Sequence, residues 1–479
     1  MQMLIGGKQV DARDKQTQEV INPTTMQVID TVPAATEADV AEAIAIAQKG
    51  KGIWKNTPMH ERVRILMRWA ELVEENREKL CNMMCDEVGK TMFGCQAEVS
   101  SCINIIKAYC EKMRTYSTET LPLDSEPGNT GDIIFTVREP LGVIACIIPF
   151  NYPTELYAHK VAPALVAGNA VIIKPSSDTP MGNIFLTELL LEAGVPGEAV
   201  QVVTGSGSKV GTWLSQSKDI AAISLTGSTE VGIQTALNGA KHLAHVYLEL
   251  GGNCPLIIFD DADMEKAIEE ALLGRVWNAG QTCCAAKRFL VQRGVEKEFV
   301  EKLTEALKNT KVGDPRDPDV AYGPLISERA AIDVEKQIQH TIDQGATCVL
   351  GGKRYDSTFI EPTILTGVTR DMDVADELEI FGPVFPVIAF DTMEEAIEIA
   401  NQIPYGLSSG VITADMGIAF KVAMAMESGT CVVNGCGNYR TAYHAFGGYK
   451  MTGIGREGCG YTLDEYTQIK SIVLKKLMV

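Results

Sequence analysis

From residue 141 onward, short apolar runs alternate with longer stretches whose apolar residues recur every three or four positions. Residues 143–148, 170–173, 200–203, 221–225 and 246–250 are such runs and read as strands. Apolar on both sides, they predict a parallel sheet covered by helices on each face. A helix over 183–193, stopped by Gly194 and Pro196, is one of the crossovers. The alternation resumes from about 251 to 451. Strands are predicted at 256–259, after Lys287, at 387–390 and at 429–434, with a helix over 393–401. The first 55 residues read as a strand pair around Gly6-Gly7 and a helix over 37–48. Thr57-Pro58 predicts a helix start with a capping hydroxyl, and Val63, Leu66, Ala70 and Val73 follow at helical spacing. Helical character continues to about Thr115. Pro122, Pro127-Gly128 and Gly131 then mark a turn-rich entry to an exposed strand at 133–138, matched by a second strand at 468–477. The expected fold is α/β, with two parallel-sheet lobes, a cleft between them and a small β arm that pairs with another subunit.

Composition narrows the function. A net charge of −19 over 479 residues leaves no basic stripe for nucleic acid or anionic membrane. The N-terminus has no basic segment leading into a long apolar run, so no signal peptide and a cytoplasmic location are expected. Thirteen cysteines without paired spacing fit reduced thiols better than disulfides or a metal site.

Six constellations carry chemistry. Asn278-Ala279-Gly280-Gln281-Thr282-Cys283-Cys284 presents a thiol after small residues that clear its approach, as a nucleophile needs, although a packing cysteine is compatible with the same run. Pro149-Phe150-Asn151 follows a strand, where Asn151 can donate to an oxyanion or cap its own turn. Lys174-Pro175-Ser176-Ser177 ends another strand and suits ribose or phosphate, or is a solvated loop. Thr226-Gly227-Ser228 leads into a helix whose free N–H groups favour phosphate. By contrast, Gly205-Ser206-Gly207 has the wrong spacing for a dinucleotide fingerprint and reads as a turn. Glu249 sits in an apolar strand before Gly251-Gly252; if it faces inward, burial lifts its pKa toward that of a general base. Glu379-Ile380-Phe381-Gly382 offers a carboxylate for hydroxyls beside a ring, or a turn with a packing phenylalanine. The glycine-rich 446–457 segment is chemically mute alone. Asp260-Asp261-Ala262-Asp263 lacks a calcium loop's glycine and reads as a helix cap.

Taken in order, these motifs resemble the aldehyde dehydrogenase superfamily over nearly the whole chain. Glu249-Leu250-Gly251-Gly252 and Gly280-Gln281-Thr282-Cys283 stand 34 positions apart, as the family's layout requires. The resemblance implies that Cys283 is the nucleophile, Glu249 the base and Asn151 an oxyanion donor with the Cys283 N–H. It places Lys160 and Glu457 on a proton path behind the base. Dinucleotide contacts are implied for Ile148, Pro149, Phe150, Lys174, Ser176, Ser177, Gly227, Ser228, Leu250, Gly251, Glu379 and Phe381. It also implies a dinucleotide-binding domain from 1–120 and 141–250, a catalytic domain from 251–451, and an arm and tail from 121–140 and 452–479. NAD-preferring relatives carry glutamate where this chain has Ser177, so NADP as well as NAD is expected. Asn151, His159, Thr282, Arg440 and His444 are expected to touch a small aldehyde. Arginines of succinate-semialdehyde relatives are absent at His159 and near Trp277. His159 is instead similar to lactaldehyde dehydrogenase-like members, and the loop bearing Arg440, Tyr443 and His444 resembles that of non-phosphorylating glyceraldehyde-3-phosphate dehydrogenases. The expected substrate is therefore a hydroxylated or anionic aldehyde, namely lactaldehyde, glyceraldehyde 3-phosphate or a semialdehyde. A CoA-acylating enzyme and a non-catalytic binding protein are the alternatives, and a homodimer or homotetramer is expected.

Overall fold

The computed structural model describes residues 1–121, 123 and 126–476, so Pro122 and Leu477 of the arm lie outside the described residues. Its central feature is a register. Five parallel strands stand side by side in the order Val200–Val202, Ala170–Lys174, Val143–Ile147, Ala222–Thr226 and His245–Glu249. Ile147 pairs with both Lys174 and Leu225, and Thr226 pairs with Glu249. Their carboxyl ends are therefore level, and four of the expected motifs leave the sheet along one edge. The strand order reverses between Val143–Ile147 and Ala222–Thr226, which opens a crevice there. Antiparallel Met3–Ile5 and Lys8–Val10 close one side of this eight-stranded sheet and Gly453–Ile454 the other.

The helices Met59–Glu75, Arg77–Val88 and Met92–Arg114 pack with Pro153–Ala167 and Met181–Ala193 against one face of that sheet. The helix Glu37–Lys55, longer than expected, covers the other face and is started by a Thr36/Asp39 capping box. Thr57 is not a cap. Pro58 takes that position, and the Thr57 hydroxyl donates back to the Ile53 carbonyl at 3.2 Å.

A second, seven-stranded sheet runs Thr347–Leu350, Thr363–Val368, Val384–Phe390, Ala286–Gln292, Cys254–Ile258, Ser408–Ile412 and Thr430–Val433, all parallel except the first. The arm is a three-stranded antiparallel sheet in which Ile133–Pro140 lies between Thr467–Leu474 and Thr120–Leu121. Within the expected arm-and-tail segment, Gly453–Ile454 pairs with the first sheet and Thr467–Leu474 with the arm. Among the described residues no helix is long and apolar enough to cross a membrane.

Candidate active site

The helix Met264–Val276, capped by Asp263 as expected, ends in a 3₁₀ turn at Trp277–Gly280 just before the candidate nucleophile. Asn278, Ala279 and Gly280 all take positive φ, at 51°, 56° and 75°. For the first two this strain costs about 1 kcal/mol each. Only glycine fits at 280, since a Cβ would stand 2.3 Å from the Gly382 carbonyl oxygen. Buried Gln281 holds the turn, donating to Asn278 O at 3.1 Å and accepting from the Ile326 N–H at 2.8 Å. Cys283 is left half-buried and Cys284 fully buried. Against the cost of burial, the neighbouring Cys284 thiol and then the Lys287 charge bring the Cys283 pKa below the ordinary thiol value. A lowered pKa is what a thiolate nucleophile requires.

Asn151 meets this thiol across the cleft. Its side-chain amide donates to Gln281 O at 3.0 Å, leaving a second N–H to offer. Its carbonyl accepts from Lys90 at 2.9 Å and Asn278 at 3.1 Å. Lys90 is buried against Glu98, which in turn accepts from the Thr154 N–H at 2.8 Å, so a helical-lobe ion pair fixes the Asn151 backbone. Asn151, Thr282, Cys283 and Arg440 line one cavity of about 660 Å³ together with Tyr152 and Trp277.

Glu249 lies behind the thiol and is buried, with Oε2 lacking any partner among the described residues. Burial, and then the neighbouring Glu457 carboxylate, push its pKa well above the carboxylate range. Glu457 itself is held ionised by Lys160 at 2.7 Å and by Arg440 at 2.7 Å. Glu249, Lys160 and Glu457 face a narrow void of about 10 Å³, room for one water. The glycine-rich tail segment has a use after all: a Cβ on Gly447 would stand 2.9 Å from Glu249 Oε1.

The expected dinucleotide residues gather along the level strand ends. Phe150 and Phe381, far apart in sequence, meet edge to face with ring centroids 6.0 Å apart. Glu379 reaches over Leu250-Gly251, where a Cβ on Gly251 would lie 2.4 Å from Glu379 Oε2. Ser228 caps the helix Thr229–Ala240 that follows Gly227. Lys174 is buried, its amine on Pro175 O at 2.7 Å and its pKa lowered by burial to about 8. Ser177, next to the half-buried Ser176, donates to Gly205 O at 3.2 Å. The Gly205-Ser206-Gly207 turn therefore borders this site, with a Gly207 Cβ position 3.8 Å from Lys174 Nζ. These residues fit a dinucleotide: a buried carboxylate oxygen of Glu379 has no hydrogen bond, and its neighbour Gly251 keeps the space open.

Two expected substrate contacts fall elsewhere. His159 is fully buried edge-on to Tyr109, with burial and then the Arg440 charge holding it neutral, and it does not line the cavity. His444 is turned to Thr430 Oγ1 at 2.8 Å and is also outside the lining. The helix Pro153–Ala167 buries nearly all its residues, so position 159 faces protein. Arg440 lines the cavity but is no solvated loop arginine, being paired inward to Glu457 and stacked 4.0 Å from the Phe446 ring. Sequence reasoning missed Lys287 and Arg288. Two adjacent cations entering an apolar strand were the available signal, because buried charge demands partners. Arg288 donates to the carbonyls of Asn253, Ala375, Ile399 and Ala400.

Comparison with known proteins agrees with this geometry. The aldehyde dehydrogenase family profile matches residues 10–472. The chain is 38% identical over 473 residues to glutarate-semialdehyde dehydrogenase of Pseudomonas putida, covering 99% of this chain and 97% of that protein. It is 37% identical over 472 residues to an NADP-dependent succinate-semialdehyde dehydrogenase of Escherichia coli, covering 98% and 96%. A crystal structure of betaine aldehyde dehydrogenase from Staphylococcus aureus in complex with NAD+ superposes with a TM-score of 0.96 at 34% identity, covering 99% of this chain and 97% of that one. With a family profile over residues 10–472 and relatives that span nearly all of it, the chain belongs to the aldehyde dehydrogenase family and is an oxidoreductase that uses NAD or NADP.

Proposed function

We propose that the protein oxidises a short aldehyde with an anionic or hydroxylated far end to its carboxylic acid. The observation that carries this reading is the placement of Cys283 and Asn151 on one cavity wall with a buried, partner-free Glu249 oxygen behind them. The Cys283 thiolate adds to the aldehyde carbon, and the new oxyanion is held by Asn151 Nδ2 and the Cys283 N–H. A nicotinamide dinucleotide held along the level strand ends would supply the two-electron oxidant that takes hydride from that carbon. Glu249 then removes a proton from the water that attacks the thioester, freeing the acid and returning the thiolate. Lys160 and Glu457 pass that proton outward through the one-water void. A CoA-acylating enzyme would not need this base.

Ile148, Pro149, Phe150, Lys174, Ser176, Ser177, Gly227, Ser228, Leu250, Gly251, Glu379 and Phe381 seat the dinucleotide. NADP is accepted because no carboxylate stands at Ser177 to repel a 2′-phosphate. The aldehyde class is supported by Arg440 on the cavity wall and by relatives named for glutarate, succinate and 3-sulfolactaldehyde substrates, the last 38% identical over 457 residues in Priestia megaterium. These make a semialdehyde the better reading despite the missing arginines at His159 and Trp277. Exposed Ile469, Val473 and Leu474 on the arm support a homodimer or homotetramer, and thirteen unbridged cysteines a reducing cytoplasm.

Absorbance of NAD(P)H across glutarate semialdehyde, succinate semialdehyde, 3-sulfolactaldehyde, lactaldehyde, glyceraldehyde 3-phosphate and butanal tests this. The expected result is free acid as product, a preference for the charged substrates, and a KM raised for them in Arg440→Ala. Equal kcat/KM on butanal, unchanged by Arg440→Ala, would refute the substrate class.

A further inference from the structure

Lys287 is the second residue of the strand Ala286–Gln292, and its ammonium is about as inaccessible as any apolar core atom, at 1% exposure. A buried ammonium is tolerated only when acceptors and a countercharge meet it. Here Thr282 O at 2.9 Å and Cys283 O at 2.5 Å accept from it, and the Glu379 carboxylate pairs with it as countercharge, Oε1 lying 3.1 Å away. The Phe381 ring lies 5.7 Å from the same nitrogen.

These three contacts join two parts of the site. In a trans peptide the carbonyl and the following N–H point to opposite sides. With Thr282 O held on Lys287, the Cys283 N–H is turned away from the lysine, and it meets no acceptor among the described residues. That is the N–H an oxyanion needs. The third contact reaches the carboxylate assigned to the ribose hydroxyls.

We propose that Lys287 is a positioning residue that joins the cofactor's carboxylate seat to the peptide of the nucleophile, setting the oxyanion donor and the thiolate's field with one buried charge. The inference rests on the reading of Cys283 as nucleophile and Glu379 as the ribose acceptor. Hydroxyl groups donating to Glu379 spread its negative charge, so more of the lysine's field reaches the thiolate. The Lys287 charge lowers and the Glu379 charge raises the thiol's pKa, which gives the two residues opposite signs.

The test is the pH dependence of inactivation by iodoacetamide, read as loss of dehydrogenase activity in wild type, Lys287→Met, Lys287→Arg and Glu379→Gln. Lys287→Met is expected to move the midpoint up by on the order of one unit, slowing alkylation at neutral pH about tenfold. Its kcat should fall by about 10² with the aldehyde KM little changed, and its cofactor KM should rise. Glu379→Gln should move the midpoint down while also raising the cofactor KM. Lys287→Arg should restore the midpoint but not the cofactor KM, because a planar fork does not fit two converging carbonyls and a carboxylate. A merely structural lysine would shift neither midpoint, and shifts of the same sign in both variants would equally overturn the proposal. Should Lys287→Met fail to fold by circular dichroism, an unmoved midpoint in Glu379→Gln overturns it alone. An active Cys283→Ser would instead sink the underlying nucleophile reading, whereas an inactive one with unmoved midpoints sinks only the role of Lys287.

Discussion

Two buried lysines serve this site from opposite directions, and they are wired differently. Lys287 donates to two backbone carbonyls and is paired with the Glu379 carboxylate, so its surroundings have one arrangement. Lys160 shares Glu457 with Arg440, keeps only a 3.3 Å contact to Ser224 besides, and faces a void for one water and a Glu249 oxygen with no partner. The first cluster ties its charge to the backbone on either side of Cys283 and acts as a strut. The second keeps a carboxylate oxygen without a partner beside room for one water. Satisfied buried charge rigidifies; an unsatisfied carboxylate beside it becomes reactive.

The largest expected effect breaks the second cluster. Glu249→Gln should lower steady-state kcat by about 10²–10⁴ while leaving a stoichiometric burst of NAD(P)H, since hydride loss precedes the step that needs the base. A rapid-mixing absorbance trace without a burst would remove Glu249 from that role. A smaller effect sharpens the contrast. In the proposed role Glu249 works only ionised, and its pKa is raised by burial and then by Glu457, so activity should fall on acidification at a pH well above the ordinary carboxylate range. The Lys160 and Arg440 charges oppose that rise, so Lys160→Met should carry the falling limb to still higher pH, each pH unit that it moves lowering kcat below the limb by about tenfold. An unchanged pH–rate profile would count against the proton path. The smallest effect concerns neither lysine but the far end of the dinucleotide edge. Ser177→Glu should reduce kcat/KM for NADP by about tenfold, the scale of one unfavourable charge contact, and leave NAD nearly unaffected. Equal losses for both cofactors would mean that position 177 does not read the 2′-phosphate.

The first sheet and its motifs were legible because apolar runs between glycine turns allow few other folds, and because loops at the carboxyl ends of parallel strands fall on one edge. The substrate wall was less so. His159 and His444 both sit beside residues that line the cavity, yet each turns away from it, and no local pattern reveals which way a side chain on a fully buried helix or an irregular loop will face. Arg440 lines the cavity, but its pairing was not legible, because Glu457 approaches it through a return of the chain that only the closed fold creates. Thr57 failed as a cap for a local reason, the proline after it taking the capping position.

By itself the sequence determined the α/β alternation, the Gly-Gln-Thr-Cys run, the Glu249 strand and the ordered motifs that mark the family. These are properties of contiguous residues, set by backbone preference and hydrophobic period. Tertiary structure alone decided that Lys287 spans from Cys283 to Glu379, that Lys90 and Glu98 hold Asn151, and that Glu457 raises Glu249 while stabilised by Lys160 and Arg440. Each of these is a charge whose energy depends on the partners that meet it after burial, and those partners come from strands and helices far apart in the chain.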